Sequence, residues 1–188
     1  MSRYRHLPKI ALLWIFMAGC GDRIQFQELP LGLGADTALE SQDGARERVA
    51  AALKPITLLF FGYTRCPDFC PMTLHKLHAA VGDDAQLKDN LRLIFISVDP
   101  QNDKPAELKR YLSAFSYARG YTGSAEELRQ TEKSFGAFSK PADKTISHSL
   151  YLYVLNRQGR VIHLIRSDAP VAELRKVMQQ ALQHNQGK

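Results

Sequence analysis

Two stretches of the 188-residue chain are apolar almost without a break. Ile56–Tyr63 reads Ile-Thr-Leu-Leu-Phe-Phe-Gly-Tyr, and Leu91–Val98 reads Leu-Arg-Leu-Ile-Phe-Ile-Ser-Val. Runs of this length without alternation mark strands covered on both faces. Between them Leu74, Leu77 and Val81 recur at helical spacing, from about Met72 onward. The three segments predict a β-α-β unit with a parallel pair and a right-handed crossover. Asp99-Pro100 stops the second run. Beyond it Leu108, Tyr111, Leu112 and Phe115 stand at i, i+3, i+4 and i+7 and predict a helix over Pro105–Tyr117. Ser124-Ala125-Glu126-Glu127 is a capping box that opens another helix, ended by Gly136. Lys140–Ser147 reads as a loop. Leu150–Leu155 and Val161–Ile165, separated by Asn156–Arg160, read as a hairpin. Asp168 and Pro170 then start a last amphipathic helix through Val171, Leu174, Met178 and Leu182.

Residues 20–50 are weakly patterned and read as a tether with an irregular lead-in, so the folded domain is placed at 51–188. Asp43-Gly44 is able to close a hairpin, and Arg46–Leu53 reads as a short helix ending before Pro55. A chain of this length suits one such domain with short extensions. The order β-α-β, one or two helices, β-β, α predicts an α/β fold of the thioredoxin-like type. That is a central mixed sheet flanked by helices in three layers, preceded by a short irregular extension.

Apolar content of 45% and charged content of 23% are ordinary for a soluble globular protein. The formal charge of +6 overstates the basicity. Of 25 basic side chains, three (Arg3, Arg5, Lys9) lie in the acid-free first nineteen residues, leaving 22 against 19 acidic ones. With no basic block or aromatic-interleaved stripe, nucleic acid is excluded as a partner. Those nineteen residues instead form a positive region, an apolar core Ile10–Met17 and small residues before Cys20. The apolar run is well short of the ~20 residues that span a bilayer. Met17-Ala18-Gly19-Cys20 resembles a bacterial lipoprotein signal, with residues 1–19 removed and Cys20 lipidated. The competing readings are an ordinary cleaved signal with a spare thiol, and an uncleaved anchor. The lipoprotein reading places the domain at the membrane on the periplasmic side of a bacterial envelope.

Cys66-Pro67-Asp68-Phe69-Cys70-Pro71 sits where the first strand hands over to the first helix. Unpaired N–H groups and the macrodipole at a helix start stabilise a thiolate there. In a thioredoxin-like fold the loop that enters the hairpin packs against this helix start, and here it ends in Ile146-Ser147-His148-Ser149. Disulfide-exchanging thioredoxins usually carry a proline at that point; this chain offers an imidazole. Two soft thiolates and an imidazole suit Cu(I) or Cu(II), whereas structural zinc normally takes four ligands. A structural disulfide, a redox dithiol with His148 as a neighbouring base, and a thiol peroxidase activated by Arg65 stand as alternatives. His75 and His78 sit at i, i+3, which looks like a metal pair, but His78 is taken to share the face of Leu74, Leu77 and Val81 and is read as a partly buried, satisfied histidine. His163 and His184 carry no accompanying ligand pattern.

Phe61–Pro71, then Ser97-Val98-Asp99-Pro100, then His148-Ser149 before the hairpin resemble the SCO/SenC family of copper chaperones for cytochrome c oxidase assembly. The resemblance covers roughly residues 56–182. It implies an extracytoplasmic, membrane-held, thioredoxin-like domain that binds one copper ion through Cys66, Cys70 and His148. Such a protein delivers copper to the binuclear site of oxidase subunit II, or keeps that site's cysteines reduced as an accessory thiol-disulfide reductase. The resemblance also implies a thiol reductant, a copper donor protein, and outer or docking roles for Asp68 and Asp99. Pro67 and Pro71 shape the helix start.

Overall fold

The computed structural model describes residues 23–34, 36–142 and 145–186; the predicted signal and Cys20 lie outside them. In chain order the elements begin with strands β1 (Ala38–Ser41), β2 (Arg46–Arg48) and β3 (Ile56–Gly62). Helices α1 (Phe69–Val81) and α2 (Ala85–Asn90) lead to β4 (Leu91–Ser97), α3 (Pro105–Leu112), β5 (Ala118–Thr122) and α4 (Ala125–Ser134). The small strands β6 (Ser139–Ala142) and β7 (Thr145–His148) precede β8 (Tyr151–Leu155), β9 (Val161–Arg166) and the last helix α5 (Val171–Gln186).

Among the described residues one sheet has the order β2-β1-β5-β4-β3-β8-β9, and β6-β7 stand apart as a hairpin. The β3-β4-β5 centre is parallel, and antiparallel strands extend it on both sides. Every residue of β3 is buried, as its unbroken apolar sequence requires. Successive side chains of a strand point to opposite faces. Phe60 meets Phe95 and His148, while Phe61 turns the other way onto Phe135 and Tyr153. Helix α1 packs against α5 on the Phe60 face, so the cysteine-bearing helix rests on the most buried part of the sheet.

The stretch read as a tether and lead-in folds onto this frame. β1 and β2 form the hairpin that Asp43-Gly44 suggests, with Gly44 at φ 79°, and β1 pairs with β5. Further upstream, the amides of Gln27 and Leu29 donate to the carbonyls of Ile162 and Val161. Arg46–Leu53 is not a helix: β2 gives way to a 3-10 turn at Val49–Ala52. Its single buried anchor, Val49, suffices for a turn, whereas a helix would need an apolar stripe. β5 escapes sequence reading because Ala-Arg-Gly-Tyr-Thr has little apolar content, although Tyr121 is fully buried. Helix α3 stops at Leu112, short of Tyr117, yet Phe115 and Tyr117 remain buried beyond its end. The capping box of α4 is present as predicted, with Ser124 and Glu127 bonding reciprocally.

Candidate metal centre

Three elements converge at the carboxyl end of β3. The first is the turn after it. The Thr64 amide and hydroxyl both donate to the carboxylate of Asp103, the hydroxyl at 2.6 Å, and the Ser97 hydroxyl donates to it at 2.7 Å. Asp103 is 0% exposed, so this carboxylate is an internal post that holds the cysteine loop to the end of β4. Burial raises its pKa, against the lowering by the Thr64 and Ser97 hydrogen bonds.

The second element is the start of α1. Its cap residue Asp68 makes no side-chain capping bond; instead the Cys70 amide donates to Cys66 Sγ at 3.4 Å. A sulfur thus serves as acceptor for one of the orphan amides of the first turn, which favours a thiolate. Cys70 lies flat against β3, and Gly62 makes room for it. A Cβ at Gly62 would stand 3.0 Å from Cys70 Sγ and 2.9 Å from the Phe95 ring.

The third element is the β6-β7 hairpin, where the sequence predicts a loop. Exposed alternate positions and the short Ser139↔His148 register hide it from pattern reading. The Tyr63 hydroxyl accepts from the Ile146 amide at 3.2 Å and fastens the hairpin to the end of β3, while Phe138 and Ser149 exchange two further bonds that close its base. His148, 7% exposed, stands edge-on to Phe60 and Tyr63. Its Nδ1 lies 3.0 Å from the Ser149 carbonyl oxygen, which only accepts, so Nδ1 carries the proton. The lone pair of Nε2 therefore faces Cys70 Sγ, 3.7 Å away. Fixing a ligand's tautomer through its other ring nitrogen is the usual support for a metal-binding histidine.

Cys66 Sγ, Cys70 Sγ and His148 Nε2 or Nδ1 all fall within 4.8 Å of one another, the one group of three or more such side chains among the described residues placed to hold a metal ion. Both thiols are free. Their acidities are driven apart. The Cys70 thiol donates to Cys66 and, with the amides of Cys70 and Asp68, pulls the Cys66 pKa far down against the cost of burial. The neighbouring Cys66 thiolate, together with burial, pushes Cys70 up. Cys66 opens onto a pocket of about 400 Å³ lined by Tyr63, Pro67, Phe69, Ile146 and His148, whereas Cys70 is fully buried. The expected result of limited alkylation of the reduced protein at neutral pH is modification at Cys66, with Cys70 protected until denaturant is added. Peptide mapping showing equal labelling would contradict this asymmetry.

The remaining candidates stay outside the ligand group. Asp68 lines the rim of the Cys66 pocket. Asp99 binds Asn102 Nδ2 and faces a second cleft shared with Arg65, on the far side of Ile146. His78 is exposed, contrary to the sequence reading: at 100° per residue it sits about 40° from Leu74 and 80° from Cys70, off the buried stripe. His163 and His184 flank Phe26. Asp103 is the site residue that sequence reading missed. Asp99-Pro100 reads only as a strand stop, and a buried carboxylate four residues later has no local signature.

The family model described as SCO1/SenC matches residues 31–183. The chain belongs to the SCO1/SenC family. It is 36% identical over 132 residues to a putative copper-binding protein of Stutzerimonas stutzeri, covering 66% of this chain and 65% of that protein. It is 32% identical over 161 residues to the mitochondrial SCO2 homolog of Danio rerio, covering 79% of this chain and 57% of that one. The SCO1/SenC chain thus spans less than two thirds of these relatives' length. Among solved structures it matches Arabidopsis thaliana ScoI with copper bound at a TM-score of 0.72 and 27% identity, over 82% of this chain and 99% of that one. It matches apo Sco1 of Thermus thermophilus at a TM-score of 0.68 and 33% identity, over 87% and 95%. The fold of this SCO1/SenC chain is the thioredoxin-like α/β arrangement that its element order predicts.

Proposed function

We propose that this SCO1/SenC protein is a copper metallochaperone in which Cys66, Cys70 and His148 hold one copper ion as cargo. The observation that carries the reading is the convergence of two thiol sulfurs and an unprotonated imidazole nitrogen within 4.8 Å. Soft thiolates with one imidazole favour copper, and three ligands leave the structural zinc preference for four unmet. Buried Cys70 and His148 form the fixed side of the set, and Cys66 the side open to the pocket. Incoming thiolates of an acceptor reach the ion over Cys66 and take it by ligand exchange. The acceptor in this reading is the binuclear copper site of oxidase subunit II. A copper donor protein and a thiol reductant keep the site loaded, because the ligands must be reduced and deprotonated. The predicted signal fits a lipoprotein held through Cys20 at the periplasmic face of a bacterial membrane. Among the described residues, no helix is long and apolar enough to cross a membrane.

A second activity shares the same pair. A lowered Cys66 beside a raised Cys70 is the asymmetry of a nucleophilic and a resolving thiol, which supports reduction of the acceptor's cysteines. The test of the cargo assignment is metal analysis of the reduced protein after exposure to copper and zinc together. One copper per chain with zinc excluded is expected; zinc retained in copper's place overturns the assignment.

A further inference from the structure

Helix α1 carries a second pair of metal-capable side chains that the thiolate group does not use. His75 and His78 stand three residues apart, and both are exposed. Such spacing on a helix sets Cβ atoms about 5–6 Å apart. Both imidazoles meet the same buried phenyl ring, Phe115, with centroids at 6.0 and 5.8 Å and interplanar angles of 74° and 73°. One aromatic ring therefore sets two imidazoles on a common flank. Lys76, next to His75 in sequence, is turned elsewhere, its Nζ donating to the Asp168 carbonyl at 2.6 Å. His78 also lies in the last turn of α1, where the negative end of a helix favours a cation. At about 1.5 Å rise per residue it lies roughly 8–12 Å along the axis from Cys70, so the two sites share no ligand.

We propose that His75 and His78 form a second metal site, a two-imidazole chelate for a divalent first-row ion, copper(II) ahead of zinc(II). Imidazole suits both ions, and at equal geometry copper(II) binds more tightly. Two protein ligands leave the other positions to water, so the ion is held loosely and exchanges readily. This site differs in kind from the thiolate group, whose soft donors suit copper(I). It stands or falls independently of the function proposed for Cys66, Cys70 and His148.

The test uses the full chain with Cys66→Ser and Cys70→Ser, titrated with copper(II) and followed by equilibrium dialysis and electron paramagnetic resonance. One ion per chain with a two-nitrogen signature is expected. Its affinity should fall at least about tenfold in His75→Ala and in His78→Ala, since even outer partners of a ligand are worth that much. His163→Ala and His148→Ala, made in the same background, should leave it unchanged. No bound copper(II), or binding that survives the His75→Ala/His78→Ala pair or follows His148→Ala instead, overturns the proposal. Both residues are exposed, so circular dichroism of the variants should match the parent.

Discussion

Replacing His148 by alanine is expected to weaken copper retention by at least about 100-fold, because losing even an outer partner of a ligand costs 10–100-fold. The substitution removes the nitrogen whose lone pair faces Cys70 Sγ and leaves a two-sulfur set. Thiol exchange with a small disulfide should survive, since both sulfurs and the amide that donates to Cys66 remain. The two readings of the site are thereby separated in one variant: copper falls away and disulfide exchange persists. His148 is packed between Phe60 and Tyr63, so unfolding by urea should accompany the titration. Copper retention within threefold of the parent, in a protein of normal stability, would sink the three-ligand assignment. Cys70→Ser differs in its signature, abolishing both activities.

The second large effect is expected at Asp103, far from any ligand atom in sequence. Asp103→Leu leaves the Thr64 amide without its acceptor and forces the Thr64 and Ser97 hydroxyls to seek new partners in a buried setting. Each buried donor so stranded costs about 1–3 kcal/mol, and the variant should lose about 3 kcal/mol or more in urea unfolding. Asp103→Asn keeps one acceptor oxygen and should lose markedly less. The pH dependence has a definite sign. Burial raises the folded-state pKa of this carboxyl, so its favourable contribution is complete below its ordinary value and fades as pH rises through the folded value. The advantage of the parent over Asp103→Asn should therefore widen as pH falls toward 4. A gap that narrows on acidification would show that the fold lowers this pKa instead of raising it, and Asp103→Leu within about 1 kcal/mol of the parent would show that the carboxylate is not the post described.

What the chain discloses of itself follows from how local each feature is. The β3-α1-β4 unit announces itself because burial on both faces demands unbroken apolar runs, and α4 because its cap is a four-residue motif. The pairs of small strands do not. β5 relies on Tyr121 and on backbone pairing with β1 and β4, and β6-β7 on Tyr63 reaching in from the end of β3 and on the Phe138–Ser149 pair that closes its base. The same division holds at the site. Cys66 and Cys70 are visible as a motif, and His148 only through the fold that brings it across 78 residues. Asp103 is invisible, since its role is defined wholly by the groups that donate to it. His78 shows the opposite failure. It sits at a plausible spacing, and a rotation of about 40° from Leu74 was enough to take it out of the core.

The hairpin that carries the imidazole has a consequence for chain entropy. In the proposed copper site two ligands belong to a helix start and the third to a small ribbon 78 residues later, outside the main sheet. An ion shared between them closes a long loop, and restricting a loop of that length removes more disorder from the unfolded chain than a short one would. Cargo binding then acts as a removable staple that also favours the folded state by mass action. Handing the ion over opens the staple, and the ribbon is left held by the Tyr63 hydroxyl and the Phe138–Ser149 bonds. Loaded and unloaded forms would thus differ in local rigidity where a partner approaches, and a receptor able to feel that stiffness could tell a full carrier from an empty one.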